Sequence, residues 1–274
     1  MIHRRHLCFQ LENAFAKFRI FRAHRSRAYH VTLGAHLYQQ DLAYIHATGF
    51  GALARGAAPD IVQRLKNAPS PVRHVVDAGC GAGPLAGPLV AAGYAVTGID
   101  QSAELLALAQ AAVPSARFLH GSIYDVELPA CEAVIALGEP LTYHDEIESA
   151  DVRVKGFFQR VSETLPHGGI FIFDLIETAG PSLTARFWTS AADWVVFGET
   201  IEDPASRTLT RNIETFRRAG DLYRRGQETH RVRVFDSQTI REWLEECGFT
   251  VETDTSYGTQ KLGPRRRAFF AVRI

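Results

Sequence analysis

Residues 75–84 read Val-Val-Asp-Ala-Gly-Cys-Gly-Ala-Gly-Pro, with a β-branched apolar start, a carboxylate and three alternating glycines. The apolar start predicts a buried strand. The glycines predict a tight turn into a helix, where the backbone approaches a ligand too closely for any Cβ atom. Residues 94–100 form a second apolar run that again ends in a carboxylate, Asp100, placed to accept both hydroxyls of a ribose. The pattern predicts half of a nucleotide-binding α/β unit.

A glycine-rich turn alone is weak evidence for a nucleotide-binding site, because glycines also simply end strands. Two details strengthen the evidence. Asp77 lies inside the strand end, and Gly79, Gly81 and Gly83 are spaced by twos, whereas a dinucleotide-binding turn has a final gap of three and a glycine where this chain has Pro84. In this combination the sequence resembles the class I S-adenosylmethionine-dependent methyltransferases, whose first motif runs acidic-x-Gly-x-Gly-x-Gly. The resemblance extends over residues 38–274.

The resemblance implies a doubly wound α/β fold with a mostly parallel seven-stranded sheet and an antiparallel final hairpin. Together with the composition it predicts five segments. These are a basic N-terminal extension (1–34), a helical lid (35–70), the cofactor-binding half of a methyltransferase core (71–179), an antiparallel β insertion after the fifth strand that covers the acceptor (180–236), and the C-terminal part of the core (237–274).

The cofactor implied by the resemblance is S-adenosylmethionine, with S-adenosylhomocysteine as the product. Asp100 would carry the ribose, and Asp77 would organise the methionine end, directly or through water. The residues expected to bind the cofactor are Tyr38, Asp77, Gly79, Cys80, Gly81, Gly83, Asp100, Gln101, Ser122, Ile123, Leu137 and Gly138.

The adenine contact is less defined. The family that this chain resembles usually has an acidic residue against the adenine amino group, where this chain has Ser122. Three alternatives stay open: the Ser122 side chain, Asp125 reaching back from three residues on, or the backbone groups of Ser122 and Ile123.

The loop at residues 138–144, Gly-Glu-Pro-Leu-Thr-Tyr-His, should lie at the mouth of the cleft, because ligands of open α/β sheets bind at the carboxyl ends of strands. Tyr143 and His144 on this loop, with His46 on the lid, are the candidate catalytic residues. A histidine that titrates near neutrality suits a general base for a hydroxyl acceptor, whereas a tyrosine orients the acceptor. The alternative is that positioning alone drives transfer and that these side chains only line or pack the site.

Local signals place several elements. Ser102 is a candidate N-cap for a helix over residues 103–112, and Pro59 precedes a second lid helix over residues 60–65. Ser237 is the candidate N-cap of a helix over residues 239–247. Turns are expected at residues 203–204 and 219–221 of the insertion.

Charge and composition limit the partners. The formal net charge of the 274 residues is zero, so no overall field attracts nucleic acid or a membrane surface. The Asn/Asp-Pro-Pro-aromatic signature of nucleobase amino methylation is absent. The seven arginines between residues 211 and 233 are interpreted as the solvated face of a small sheet rather than an anion site, and residues 265–267 as a solvated turn. We therefore expect a small-molecule acceptor, with no role for nucleic acid, and leave a homodimer open.

The remaining features concern location and rival functions. No apolar run approaches the roughly 18 residues of a membrane span, and the four cysteines lack metal-ligand spacing, which favours reduced thiols in the cytoplasm and no metal site. Residues 1–30 are rich in arginine and are interpreted as a basic amphipathic helix, a transit peptide or a surface extension. A nicotinamide-dependent oxidoreductase would keep Asp100 but not Pro84. A non-catalytic S-adenosylmethionine-binding module remains the other alternative.

Overall fold

The computed structural model describes residues 37–144 and 146–274. The predictions for residues 1–34 therefore lie outside the described residues. The helices of the described part are α1 (Gln40–Gly49), α2 (Ala52–Lys66), α3 (Ala86–Ala91), α4 (Ala103–Ala112), α5 (Ala150–Thr164) and α6 (Ser237–Glu246), with short 3-10 helices at Pro140–Thr142 and Ile147–Ser149. The strands are β1 (His74–Ala78), β2 (Ala95–Asp100), β3 (Arg117–His120), β4 (Ala133–Ala136), β5 (Ile170–Ile176), β6 (Ala185–Ser190), β7 (Trp194–Asp203), β8 (Thr208–Ala219), β9 (Leu222–Arg233), β10 (Phe249–Asp254), β11 (Ser256–Tyr257), β12 (Gln260–Lys261) and β13 (Arg266–Arg273).

The central sheet has the strand order β10-β13-β5-β4-β1-β2-β3. Strands β1 to β5 pair in parallel, and β13 runs antiparallel to both β5 and β10. The predicted mostly parallel seven-stranded sheet with an antiparallel final hairpin is confirmed. The sheet brings the carboxyl ends of β1, β2 and β4 to one edge, where the glycine turn lies.

Both faces of the central sheet are covered, which explains why its inner strands are apolar throughout. Helices α5 and α6 pack on one face, and α2 and α3 pack on the other. Phe171, Phe173 and Phe269 are fully buried and stack in a row with ring centroids 4.7 and 4.9 Å apart. Burying a side chain of this size stabilises the fold by about 1.5–3 kcal/mol.

The predicted antiparallel insertion after β5 is confirmed as a separate sheet with the order β6-β7-β8-β9. Its turns fall at residues 203–207 and 219–222, where the Asp-Pro and Gly signals predicted them. The sequence interpretation had missed β6. This strand lies at the edge of the sheet with most of its side chains exposed, so it carries no alternating apolar pattern.

Two helix boundaries differ from the prediction. Helix α2 begins before Pro59 and runs through it, because the buried residues Ala57, Ala58, Ile61 and Leu65 on either side of the proline fix it against the sheet. Helix α6 is capped by Asp236 rather than Ser237: the Asp236 carboxylate accepts a hydrogen bond of 3.0 Å from the Thr239 backbone N–H. The Ser102 cap of α4 is confirmed by its 3.1 Å bond from Leu105 N–H.

The turn at residues 265–267 is not solvated as predicted. Arg265 forms an ion pair of 2.7 Å with Glu202 on β7, and Arg267 pairs with Glu177. The guanidinium of Arg266 pairs with a buried carboxylate beside the pocket described below. Antiparallel pairing of β13 with β5 turns these side chains back onto the core, a long-range effect that local composition does not reveal.

Candidate active site

A pocket opens at the carboxyl ends of β1, β2 and β4, between the glycine turn and α1. It is open to solvent, and the space between its walls, counted with the open mouth, is about 1040 Å³. It is lined by every residue predicted to bind the cofactor except Gly83, and by the candidate catalytic residues His46 and Tyr143. Residues that lie far apart in the sequence thus converge on one cavity.

The glycine turn shapes the floor of this pocket. Gly79 and Gly81 have φ of +77° and +54°, values that favour glycine. A Cβ atom on Gly79 would lie 2.3 Å from the Cβ of Pro140, so this glycine lets the loop after β4 pack on the turn. A Cβ atom on Gly81 would meet only His46, whose Cε1 is 4.0 Å away, and would project into the open pocket.

The Asp100 carboxylate ties β2 to the glycine turn. One oxygen accepts a hydrogen bond of 2.8 Å from Gly81 N–H, and the other accepts one of 2.9 Å from Ser102 N–H. Burial raises the pKa of Asp100, and these backbone donors oppose the rise. Because an ionised carboxylate has about four acceptor positions, these backbone bonds do not use its whole capacity to bind a ligand.

Asp77 lines the pocket with a buried carboxylate. Its side chain is 3% exposed, and its Oδ2 has no hydrogen-bond partner among residues 37–144 and 146–274. Burial, and then the charge of Asp100, raise the pKa of Asp77 to about 7. Burying a carboxylate oxygen without a hydrogen-bond partner costs free energy unless a ligand binds to it. A cationic group is the most favourable ligand for such an oxygen.

We expect Asp77 to make the unliganded fold less stable as the pH rises. Its folded pKa of about 7 lies above the ordinary value of 3.8. The folded state therefore holds the proton more tightly, and the resulting stabilisation, up to about 4 kcal/mol, is lost between about pH 4 and 7. Denaturant unfolding at pH 5 and pH 8 should show a larger loss of unfolding free energy in the wild type than in Asp77→Asn. Equal losses in the two proteins would contradict this assignment.

His46 projects from α1 into the pocket. Its Nδ1 is buried without a hydrogen-bond partner in the described chain, and its ring packs edge-on against Tyr38 at 4.8 Å and stacks on Phe50 at 5.9 Å. Burial, and then the neighbouring His230, lower the pKa of His46 to about 4. The expectation that this histidine titrates near neutrality is wrong: the imidazole is neutral at pH 7.

A polar cluster that the sequence interpretation missed adjoins the pocket. Arg211 Nη1 donates to Glu139 Oε1 at 2.6 Å and to the Tyr143 hydroxyl at 3.0 Å. Arg266 pairs with the same Glu139 oxygen at 2.8 Å. Burial would raise the pKa of Glu139, but the two guanidinium groups outweigh it and hold the pKa below its ordinary value. Arg211 and Arg266 therefore pair with a buried carboxylate beside the pocket, although both were predicted to be solvated.

One signal in the sequence could have placed Arg211. It shares a face of β8 with Leu209 and Ile213, so strand alternation directs the arginine inward with these apolar side chains.

Glu139 has a φ of +65°, and its backbone N–H donates to the Asp174 carboxylate at 3.0 Å. No local pattern predicts that backbone geometry.

The start of α1 is held from two sides. The Ser102 hydroxyl donates to the Tyr38 carbonyl at 2.9 Å. The Glu228 carboxylate, on β9, accepts from the backbone N–H groups of Tyr38 at 2.7 Å and Gln39 at 2.8 Å. These bonds fix Tyr38, whose φ is +57°, between the central sheet and the insertion.

Two predicted site residues lie outside the pocket. A Cβ atom on Gly83 would come within 3.3 Å of Ala109 Cβ, so Gly83 allows the close approach of α4. His144 is buried, and its Nε2 lies 3.1 Å from the Leu141 carbonyl and 3.3 Å from the Tyr124 hydroxyl. It packs its own loop and does not face the cavity.

Of the three alternatives for the adenine contact, the Asp125 side chain lies away from the pocket. It is exposed and pairs with Arg153 at 3.2 Å. Ser122 and Ile123 line the pocket, and the Ser122 hydroxyl already accepts a hydrogen bond of 3.2 Å from Tyr124 N–H.

Comparisons with known proteins agree with this geometry. Residues 75–169 match the family model described as a methyltransferase domain. A protein of Bacillus subtilis (strain 168), provisionally named methyltransferase YqeM, is 27% identical over 72% of this chain and 82% of its own length. A Geobacillus sp. (strain WCH70) protein, also provisionally named a methyltransferase, is 27% identical over 73% of this chain and 84% of its own length.

Solved structures share the fold. An S-adenosylmethionine-dependent methyltransferase from Clostridium acetobutylicum has a TM-score of 0.71 at 20% identity and covers 84% of this chain and 97% of its own. The sugar N-methyltransferase KedS8 from Streptoalloteichus has a TM-score of 0.71 at 18% identity, with coverages of 92% and 98%. The amino pentose methyltransferase CalS10 from Micromonospora echinaspora, solved with S-adenosylmethionine, has a TM-score of 0.64 at 16% identity, with coverages of 88% and 100%.

Residues 75–169 therefore match a methyltransferase domain, and the described residues share the fold of solved S-adenosylmethionine-dependent methyltransferases. Within the residues that the structure describes, no helix is long and apolar enough to cross a membrane. The same residues contain no group of three or more His, Cys, Asp or Glu side chains that could hold a metal ion.

Proposed function

We propose that the chain is an enzyme that transfers the methyl group of S-adenosylmethionine to a nitrogen or oxygen of a small molecule. The observation that carries this proposal is the convergence of the glycine turn, Asp100 and the unpartnered oxygen of Asp77 on one pocket. The residues fit the cofactor: Asp77 offers a buried anion to its ammonium group, and Gly81 leaves space that a Cβ atom would fill.

Each part of the pocket has a role in the proposal. Asp100 binds the ribose hydroxyls with the acceptor positions that Gly81 and Ser102 leave free. The backbone along Gly79 and Gly81 lies against the methionine end, and Ser122 and Ile123 meet the adenine through side-chain or backbone groups. Helix α1 serves as the lid, and the inner face of the insertion covers the acceptor.

When bound, S-adenosylmethionine would supply an electrophilic methyl group: an acceptor lone pair would bond to its carbon in line as the C–S bond breaks, and S-adenosylhomocysteine would leave with the electron pair on sulfur. The contribution of the chain is alignment and exclusion of water, which can supply much of the acceleration. His46 offers a lone pair to the acceptor, and the Tyr143 hydroxyl orients it.

A transfer assay tests this function. Purified protein is incubated with S-adenosylmethionine labelled in the methyl group and a fractionated extract of small metabolites. We expect label in an acceptor fraction together with an equal amount of S-adenosylhomocysteine. Binding of the donor without transfer to any fraction would instead favour a non-catalytic binding module.

Gly81→Ala should obstruct donor binding without unfolding the chain, because its Cβ atom would enter the open pocket. We expect an affinity loss of at least about 10-fold, since a methyl group overlaps the ligand position. Gly220→Ala is the matched control: Gly220 has a φ of +64° in the β8–β9 turn, and its Cβ atom would meet nothing within 4 Å. Calorimetric titration with S-adenosylmethionine measures the affinity of both variants. Native affinity in Gly81→Ala would remove the turn from the cofactor site.

A further inference from the structure

The start of the lid helix α1 is capped by a carboxylate from a distant strand. Gln39, the residue before α1, makes no capping hydrogen bond with its own side chain. Instead, Glu228 on β9 accepts a hydrogen bond of 2.7 Å from the Tyr38 N–H and one of 2.8 Å from the Gln39 N–H. A carboxylate suits this position, because the free N–H groups and the dipole of a helix start attract negative charge. The insertion therefore supplies the cap of the lid.

Glu228 is held in the orientation that this cap requires. Its side chain is only 8% exposed, and its Oε2 also lies 2.9 Å from Nε2 of the buried His230, two residues further along β9. A buried carboxylate is costly unless it is hydrogen-bonded. The two N–H groups and the imidazole meet this need, so the carboxylate has a reason to stay at the helix start.

The residue that this cap holds has a strained backbone. Tyr38 has a φ of +57°, a left-handed conformation that is unfavourable for a residue with a Cβ atom and persists only where its surroundings hold it. Glu228 holds the N–H of Tyr38, and the Ser102 hydroxyl holds its carbonyl at 2.9 Å. Because Tyr38 lines the pocket, this strained turn places a tyrosine in the pocket wall.

Further along, α1 is tied to the insertion by other contacts. Arg217 on β8 pairs with Asp41 at 3.3 Å, and its guanidinium lies 3.6 Å from the centre of the Tyr44 ring. These contacts do not involve Glu228. Loss of the Glu228 cap would therefore leave α1 attached and release the end of the lid that carries Tyr38.

We infer that Glu228 is a positioning residue that keeps Tyr38 in the pocket wall, so that the insertion sets how long S-adenosylmethionine stays bound. This inference rests on the proposed function and adds the regulation of the same site. Glu228 is not part of the pocket lining in the described chain, so it acts through Tyr38. Without the cap, Tyr38 leaves its strained conformation and the wall opens. The donor then dissociates faster, while its association, which needs no closed wall, keeps nearly its native rate.

Surface plasmon resonance tests the inference, with the immobilised full-length protein and S-adenosylmethionine as the analyte. The amide of Glu228→Gln offers one acceptor oxygen to two N–H groups. We expect its dissociation rate constant to rise about 10-fold, the usual effect of losing a hydrogen bond to a charged group. The association rate constant should change by less than about 2-fold.

Glu214→Gln is the matched control and should keep both native rate constants. Glu214 on β8 lies opposite Gln227, the neighbour of Glu228 in the chain. Strand alternation therefore puts its side chain on the other face of the insertion, where it pairs with Arg225.

The Tyr38→Ala background separates positioning from general stabilisation of the fold. If Glu228 acts through the Tyr38 side chain, Glu228→Gln should change the dissociation rate by less than about 2-fold in a protein that already lacks this ring. A residue with a merely structural role would give the same rise in both backgrounds.

A native dissociation rate in folded Glu228→Gln, or an equal rise in the two backgrounds, would overturn the inference. Glu228→Asp, whose shorter side chain brings the carboxylate less close to the helix start, is the second variant if Glu228→Gln does not fold, and the same outcomes apply to it. Failure of the wild type to bind S-adenosylmethionine in this measurement would instead defeat the proposed function itself.

Discussion

Asp100→Ala should weaken S-adenosylmethionine binding by about 10- to 100-fold, equivalent to about 1.5–3 kcal/mol, the usual cost of losing hydrogen bonds to a charged group. The carboxylate has two functions in the structure. Its free acceptor positions face the pocket, and its bonds to Gly81 and Ser102 hold the glycine turn against β2. Loss of the side chain would remove both the proposed ribose contact and the support of the turn.

Calorimetry measures the effect, and Asp125→Ala is the control. Asp125 is another acidic residue near the carboxyl edge of the sheet, but its exposed side chain pairs with Arg153 outside the cavity. We expect native affinity in Asp125→Ala. Equal affinity in Asp100→Ala and the wild type would remove Asp100 from the cofactor site.

His46→Ala should slow single-turnover methyl transfer by about 10- to 100-fold while donor affinity changes little, because the acceptor loses the group that aligns it. The pH dependence is specific. Since burial lowers the pKa of His46 to about 4, its lone pair is lost only as the pH falls through about 4. The contribution of His46, taken as the ratio of wild-type to His46→Ala rates, should therefore be constant from pH 8 down to about 5.

His144→Ala is the informative comparison, because both histidines are candidate bases from the sequence. Its ring packs against Leu141 and Tyr124, so the substitution should reduce stability and leave the transfer rate of the folded protein near the native value. A ratio that falls already between pH 7 and 6, or a rate loss confined to His144→Ala, would contradict the placement of His46.

The sequence predicted many of the residues that line the pocket, because these residues lie at or just after the ends of strands. A parallel sheet brings the carboxyl ends of its strands to one edge, so residues that follow successive strands meet without knowledge of the tertiary structure. Asp77, Asp100 and Ser122 are of this kind. Gly83 was misplaced for the same reason, since its spacing fits the motif although its neighbour is the α4 helix.

The acceptor side was predicted less well because it depends on packing between distant segments. Arg211 reaches Glu139 only because the insertion folds over the loop after β4, and Arg266 reaches the same carboxylate from the final strand. His46 was placed in the pocket, but its neutral state follows from burial and from His230, which the local sequence does not show. A charged residue in the sequence indicates a solvated side chain only where the fold offers it no buried ion-pair partner.

Titration of the wild-type protein with S-adenosylmethionine and, separately, with reduced nicotinamide adenine dinucleotide tests the central claim most directly. Both ligands carry adenine and ribose, and both would use Asp100, but only the first presents an ammonium group to the unpartnered oxygen of Asp77. We predict saturable one-to-one binding of S-adenosylmethionine that is weakened in Asp77→Asn, and no comparable binding of the dinucleotide. Tight binding of the dinucleotide without binding of S-adenosylmethionine would contradict the account.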